Sequence, residues 1–208
     1  MASLPELELR WARLCARPEL GDWEALEWSR MVTAYGEPAR AYHNLDHIEH
    51  CLELLDEHRA LATDALSLEF AIWLHDIIYE TRAKDNERQC ALFARSLLMS
   101  TCPQIAQSVE QLILATEHNA ESLTGDSALM ADIDLAMLGA SPEAYNDYAA
   151  KVRREYAWVT PSKYVAGRSA VLECFLQRER IFQTAEFRAE FEQSARHNLS
   201  RELAALGI

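Results

Sequence analysis

Glycine and proline are scarce in this chain, six of each in 208 residues, and no Asn-Gly or Asp-Gly pair signals a hairpin. Strands therefore have little support. No apolar run approaches the roughly 20 residues that a membrane-spanning helix needs. The N-terminal MASLPELELRWARL carries Glu6 and Glu8 where an export signal would carry positive charge and then an unbroken apolar stretch. A soluble, cytoplasmic protein is expected. Cysteine pairs are also missing: Cys15, Cys51, Cys90, Cys102 and Cys174 are odd in number and form no CxxC. They read as reduced thiols rather than disulfides or zinc ligands, in keeping with a reducing compartment. Positive charge is short as well, 20 Lys and Arg against 33 Asp and Glu, a net charge of −13. Such a field repels nucleic-acid phosphates and disfavours a nucleic-acid-binding module. A small phosphorylated ligand stays compatible, because a bound dication reverses the potential locally.

What is abundant is Leu, Ala, Glu and Arg at helical spacing. With no repeat, low-complexity tract or Ser/Gly linker, the expectation is an all-α protein with one domain over 1–208. Apolar periodicity predicts helices at 4–17, 22–35, 44–61, 65–82, 85–100, 103–119, 127–139, 142–158, 161–183 and 185–206. Ser141-Pro142 and Thr160-Pro161 each set an N-cap hydroxyl before a proline at the first helical position, and Asp64 can cap likewise. The polar segment NAESLTGDS, 119–127, reads as a loop beside the site.

Three segments place ionisable groups among apolar residues. In FAIWLHDIIYET, 70–81, His75 and Asp76 sit inside a run that must be largely buried, which costs several kcal/mol unless they are hydrogen-bonded, paired or metal-bound. In YHNLDHIEHCLELLDEH, 42–58, four of the seven histidines cluster; His47 borders the stripe of Ile48, Cys51, Leu52 and Leu55 and can project inward. His50 and His58 fit the solvent side, and His43 lies in a segment where Asn44 or Asp46 caps the helix. In LMADIDLAMLG, 129–139, Asp132 and Asp134 have no clearly polar face between them, so at least one is expected to be engaged. Two imidazoles and two carboxylates form a mixed N/O set suited to Mn²⁺, Fe²⁺, Co²⁺, Ni²⁺, Zn²⁺ or Mg²⁺.

The order His, His-Asp 28 residues on, and Asp 58 further resembles the H…HD…D signature of the HD superfamily of metal-dependent phosphohydrolases. YHNLDHI, WLHDIIYE, DNE at 85–87, ATEHN, DIDL, RREYAWV and ARHNL together resemble one subfamily of these, end to end. The resemblance implies a helical bundle in which His47, His75, Asp76 and Asp134 hold a divalent ion that activates water against a phosphoester. Asp76 is the carboxylate that bridges a second ion in this family, and Asp132 is left as an outer partner or a helix cap. His118 matches a subfamily histidine that binds a second ion or a phosphate oxygen; a histidine near a helix C-terminus is its plainer reading. Glu80, Asp85 and Glu87 are candidates for proton transfer or water orientation, although Asp85 and Glu87 also suit a helix start. Arg40, Arg153 and Arg168, with Lys151 and Arg154, are the available phosphate-binding cations, and Tyr156 and Arg168 fall in subfamily motifs. Tyr79-Glu80 departs from both the Glu of deoxynucleotidases and the Glu-Asp pair of guanosine-tetraphosphate hydrolases, so neither substrate transfers directly. The expected partner is a small phosphorylated molecule such as a nucleotide, with a homodimer as one compatible assembly. A di-iron HD-type oxygenase and a non-catalytic, metal-stabilised binding domain are the alternatives.

Overall fold

The computed structural model describes residues 3–20, 26–100, 102–119 and 122–207. Among the described residues there are ten α-helices and no strand: α1 (Leu4–Cys15), α2 (Trp28–Tyr35), α3 (Leu45–Glu57), α4 (Ala65–Leu74), α5 (Asn86–Leu98), α6 (Pro103–Ala115), α7 (Gly125–Leu135), α8 (Pro142–Glu155), α9 (Pro161–Gln177) and α10 (Ala185–Ala205). Single 3₁₀ turns fall at Pro18–Leu20, Arg59–Leu61 and Ala136–Gly139. The all-α expectation holds. Residues 22–25 of the predicted 22–35 helix lie outside the described residues. No helix is long and apolar enough to cross a membrane among them.

The centre of the fold is α4, whose sequence ALSLEFAIWL is apolar on every side, as a helix without a solvent face must be. It packs against α1, α3, α5, α6 and α7, and Leu68, Phe70, Ile72, Trp73 and Leu74 are fully buried. At about 1.5–3 kcal/mol for each large side chain removed from water, these residues are a major part of the core. Its two polar members are satisfied: the Ser67 hydroxyl donates to Asp64 at 2.6 Å, and Glu69 accepts from the Arg10 Nε at 2.8 Å. Trp73 meets Trp11 and Trp28 edge to face.

Several helix starts follow the sequence. Asn44 accepts from the Asp46 N–H, Asp64 from Ser67 and Ser141 from Ala144, whereas the Thr160 side chain makes no capping bond. Several ends do not. The helix predicted over 65–82 stops at Leu74, because the carbonyls of its last turn go elsewhere: that of Ile72 accepts from His75 Nδ1 at 2.9 Å and that of Trp73 from the Tyr35 hydroxyl at 2.8 Å, and beyond it those of Asp76 and Ile77 accept from the Arg40 guanidinium at 2.5 and 3.1 Å. The predicted 161–183 helix stops at Gln177, and the amides of Ile181 and Phe182 turn to the Glu192 carboxylate. Those of Gln183 and Thr184, together with the Thr184 hydroxyl, turn to Asp132. Asp132 is thus a fully buried anchor for the start of α10.

The predicted 127–139 helix ends at Leu135 and tightens into the 3₁₀ turn against α10. There Gly139 is required by proximity: a Cβ would stand 2.6 Å from the Phe191 Cβ and 2.8 Å from its carbonyl oxygen. Backbone cannot yield cheaply, so Gly139→Ala is expected to destabilise the protein by about 1–3 kcal/mol, read as a lowered midpoint in urea denaturation. An unchanged midpoint would show the contact to be looser than described.

Candidate metal centre

His47 comes from α3, where its neighbours Ile48 and Cys51 are fully buried. His75 and Asp76 occupy the turn that closes α4, and Asp134 lies one residue before the end of α7. These elements bring the Nε2 atoms of His47 and His75 to 3.2 Å from one another. Oδ1 of Asp134 lies 3.3 Å from the first and 3.5 Å from the second. Oδ2 of Asp76 lies 3.7 and 3.3 Å from the same two nitrogens. Donors bonded at about 2.1 Å to one ion stand roughly 3.0–3.4 Å apart, so the edges of this group have the size of a coordination shell. His47, His75 and Asp134 form the group that could hold a metal ion, with Asp76 against both imidazoles.

The donor chemistry fits a cation. The His75 Nδ1–H donates to the Ile72 carbonyl at 2.9 Å, so Nε2, facing Asp134 and His47, is the nitrogen that would bind a cation in exchange for its proton. Two ring nitrogens facing one another at 3.2 Å require a shared proton or a cation between them. Burial opposes the His75 imidazolium, but Asp76 and Asp134 outweigh it and hold its pKa well above the ordinary value. Burial likewise opposes ionisation of both aspartates; His118, His47 and His75 hold Asp134 well below the usual carboxylate range, and His75 does the same for Asp76. The carboxylates are therefore ionised as ligands should be.

His118 joins the centre from the segment after α6. Its Nε2 lies 2.9 Å from the second oxygen of Asp134, and its backbone is left-handed, φ 52°. Non-glycine residues rarely adopt that conformation; here the His118 carbonyl is held by the Arg178 guanidinium at 2.5 Å. On the opposite side Glu155 closes α8 with its carboxyl fully buried. It accepts from the amides of Tyr42 and His43, from His43 Nδ1 at 2.7 Å and from the Tyr79 hydroxyl at 3.3 Å. His43 stacks on Tyr79 at 4.1 Å, and Tyr42 leans on the His47 ring. Glu155 thus fixes the wall behind His47. Glu155 is not among the candidates the sequence offers, although it lies within RREYAWV; its partners Tyr42, His43 and Tyr79 are far off in the chain.

The centre opens into a cavity of about 200 Å³ whose lining includes His75, Asp76, Glu87, His118 and Asp134. A larger one of about 570 Å³ adjoins it, sharing His43, Tyr79, Glu87 and Tyr148. Of the other candidates, Glu87 faces both cavities, and burial, with Asp76 and Glu117 behind it, raises its carboxyl pKa. Tyr156 and Arg168 line the larger cavity, but the Arg168 guanidinium forks onto Glu202 at 2.8 and 2.9 Å. Glu80 and Asp85 are exposed and line neither; they accept from Arg82 and Gln89. Two of the expected phosphate-binding cations already have partners. Arg40 is 6% exposed and committed to the carbonyls of Asp76 and Ile77, and Arg153 donates to those of Tyr156 and Val159. His58, expected on the solvent side, packs on the Phe187 ring at 4.4 Å, and His50 is half-buried. None of the five cysteines is in a disulfide, and Cys51, Cys90 and Cys102 are buried.

Fold and site together define an all-α protein with a His/His/Asp group able to hold a metal ion. Comparison with known protein families, with curated proteins and with solved structures finds no match to the chain.

Proposed function

We propose that this protein is a metal-dependent phosphohydrolase of the HD type, acting on a nucleotide or another small phosphorylated metabolite. The observation that carries the reading is the group of His47, His75 and Asp134, flanked by Asp76 and opening into a cleft. A divalent ion in that group supplies Lewis acidity toward a phosphoryl oxygen and toward water. The remaining roles belong to the chain. His47 and His75 offer ring nitrogens, Asp134 and Asp76 offer charge, and His118 orients Asp134 through its second oxygen. Glu87, with a carboxyl that holds its proton more tightly than usual, is suited to protonate a leaving oxygen in the same cleft. The surroundings of the centre, with Tyr42, Leu138 and Phe175 in its lining, limit bulk water.

Elemental analysis of the purified protein, followed by phosphate release from nucleotides and sugar phosphates with Mn²⁺, Mg²⁺, Co²⁺, Ni²⁺, Fe²⁺ and Zn²⁺, tests this. Stoichiometric metal and metal-dependent release are expected. A bound ion that raises the melting temperature with no release under any metal would leave a non-catalytic, metal-stabilised domain. Bound iron with dioxygen consumption in place of phosphate release would make it an oxygenase.

A further inference from the structure

The 570 Å³ chamber beside the metal centre is rich in aromatic side chains. Tyr79, Tyr148, Tyr156, Trp158 and Tyr164 contribute five aromatic side chains to one wall system, in a chain with 18 Trp, Tyr and Phe residues in all. Trp158 is 51% exposed and Val171 46%, so large apolar surface stands open to water here. The indole is nonetheless held in place: its Nε1–H donates to Thr81 at 2.8 Å, and Arg82 lies 4.8 Å over the ring. Gly167 sits inside α9, where glycine costs about 1 kcal/mol relative to alanine. A Cβ there would meet nothing within 4 Å, and the open space lies on the chamber.

Charge is placed as selectively. The chain has three lysines, Lys84, Lys151 and Lys163. Lys151 pairs with Asp147, while Lys84 and Lys163 both line the chamber and are exposed. In a protein of net charge −13, two of the three lysines line one aromatic cavity. Aromatic faces suit a planar ring, and ammonium groups suit an anion beyond the one at the metal centre.

We infer that this chamber is the subsite for the organic part of the substrate, and that the substrate is a phosphoester bearing a planar aromatic ring and a further anionic group. The inference rests on the hydrolase reading for what happens at phosphorus, but the chamber's binding preference is independent of turnover. The ring lies among Tyr156, Trp158 and Tyr164, the second anion meets Lys84 and Lys163, and the reacting phosphate reaches the centre past His43 and Tyr79.

Isothermal titration calorimetry with adenosine monophosphate, adenosine diphosphate, phenyl phosphate and ribose 5-phosphate tests it. Adenosine monophosphate is expected to bind at least tenfold more tightly than ribose 5-phosphate. Gly167→Leu, which fills the chamber from a helical position with room for the side chain, and Trp158→Ala, at an exposed site, should each erase that preference. The diphosphate should bind at least threefold more tightly than the monophosphate, a difference lost in Lys84→Ala/Lys163→Ala. Phenyl phosphate matching the monophosphate marks any aryl ring as sufficient; phenyl phosphate matching ribose 5-phosphate marks a nucleobase as the ring required. Ribose 5-phosphate binding as tightly as adenosine monophosphate, or a preference that survives both chamber variants, would overturn the inference. Preferential binding without phosphate release under any metal would instead defeat the hydrolase reading and leave the chamber standing.

Discussion

Replacing His75 with alanine is expected to strip the divalent ion from the protein and to cut phosphate release by more than about a hundredfold. Loss of a mere outer partner of a metal site costs 10–100-fold; His75 is a direct donor candidate, with Nε2 within 3.2–3.5 Å of His47, Asp76 and Asp134. Its removal also deletes the main group that holds Asp76 ionised and one of three that do so for Asp134. Asp134→Ala should behave alike, since it removes the oxygen facing both imidazoles and the partner of His118. Metal content by mass spectrometry is the primary readout, with phosphate release beside it. His50→Ala, on the half-buried side of α3, is expected to keep its metal. Should it lose the ion while His47→Ala keeps it, the assignment of the first ligand is wrong.

Glu155→Ala is expected to cost about 3 kcal/mol of folding stability, near the lower end for removing one member of a buried pair because His43 is partly open to solvent. It strands two backbone amides, the His43 ring and the Tyr79 hydroxyl at once. The pH dependence has a defined sign. Burial works against ionised Glu155, but His43 and the amides hold its pKa below the ordinary 4.5; that contribution is complete above 4.5 and fades as pH falls through the lowered value. Burial also works against charged His43, but Glu155 and Asp76 raise it above the ordinary 6.5; that contribution is complete below 6.5 and fades as pH rises through the raised value. The stability gap between the wild type and Glu155→Gln should therefore be widest between pH 4.5 and 6.5. Urea titrations at pH 3.5, 5.5 and 8.5 measure it, and a gap that stays constant across them would remove the ion pair from the explanation.

The parts of this molecule that could be read from its sequence are those governed by local pattern. The apolar run around His75 and Asp76 required a partner for both, and one exists. The edge position of His47 on its stripe correctly aimed it inward. Asn44, Asp64 and Ser141 cap as their chemistry suggests. What was illegible depends on residues far apart in the chain. Nothing within 65–82 announces that Tyr35 will take the Trp73 carbonyl or Arg40 those just beyond α4, and nothing near Asp132 announces the amides of 183 and 184, 51 and 52 residues on. Arg40 reads as a free cation because a guanidinium satisfied by distant carbonyls has the same sequence signature as an exposed one, whereas Arg153 turns onto carbonyls only three and six residues on. Glu155 was missed for the same reason in reverse.

The enclosure of α4 also bears on how quickly the centre could exchange its ion. A helix with neighbours on every side opens its amides to deuterium only in the rarest, most global fluctuations. The segment after α6, next to the exposed Leu114, is expected to open more often. His75 and Asp76, at the close of the protected helix, would then form the stationary jaw of a clamp and His118 the jaw that swings. Ion departure should keep pace with deuterium uptake at 115–119 rather than at 68–74.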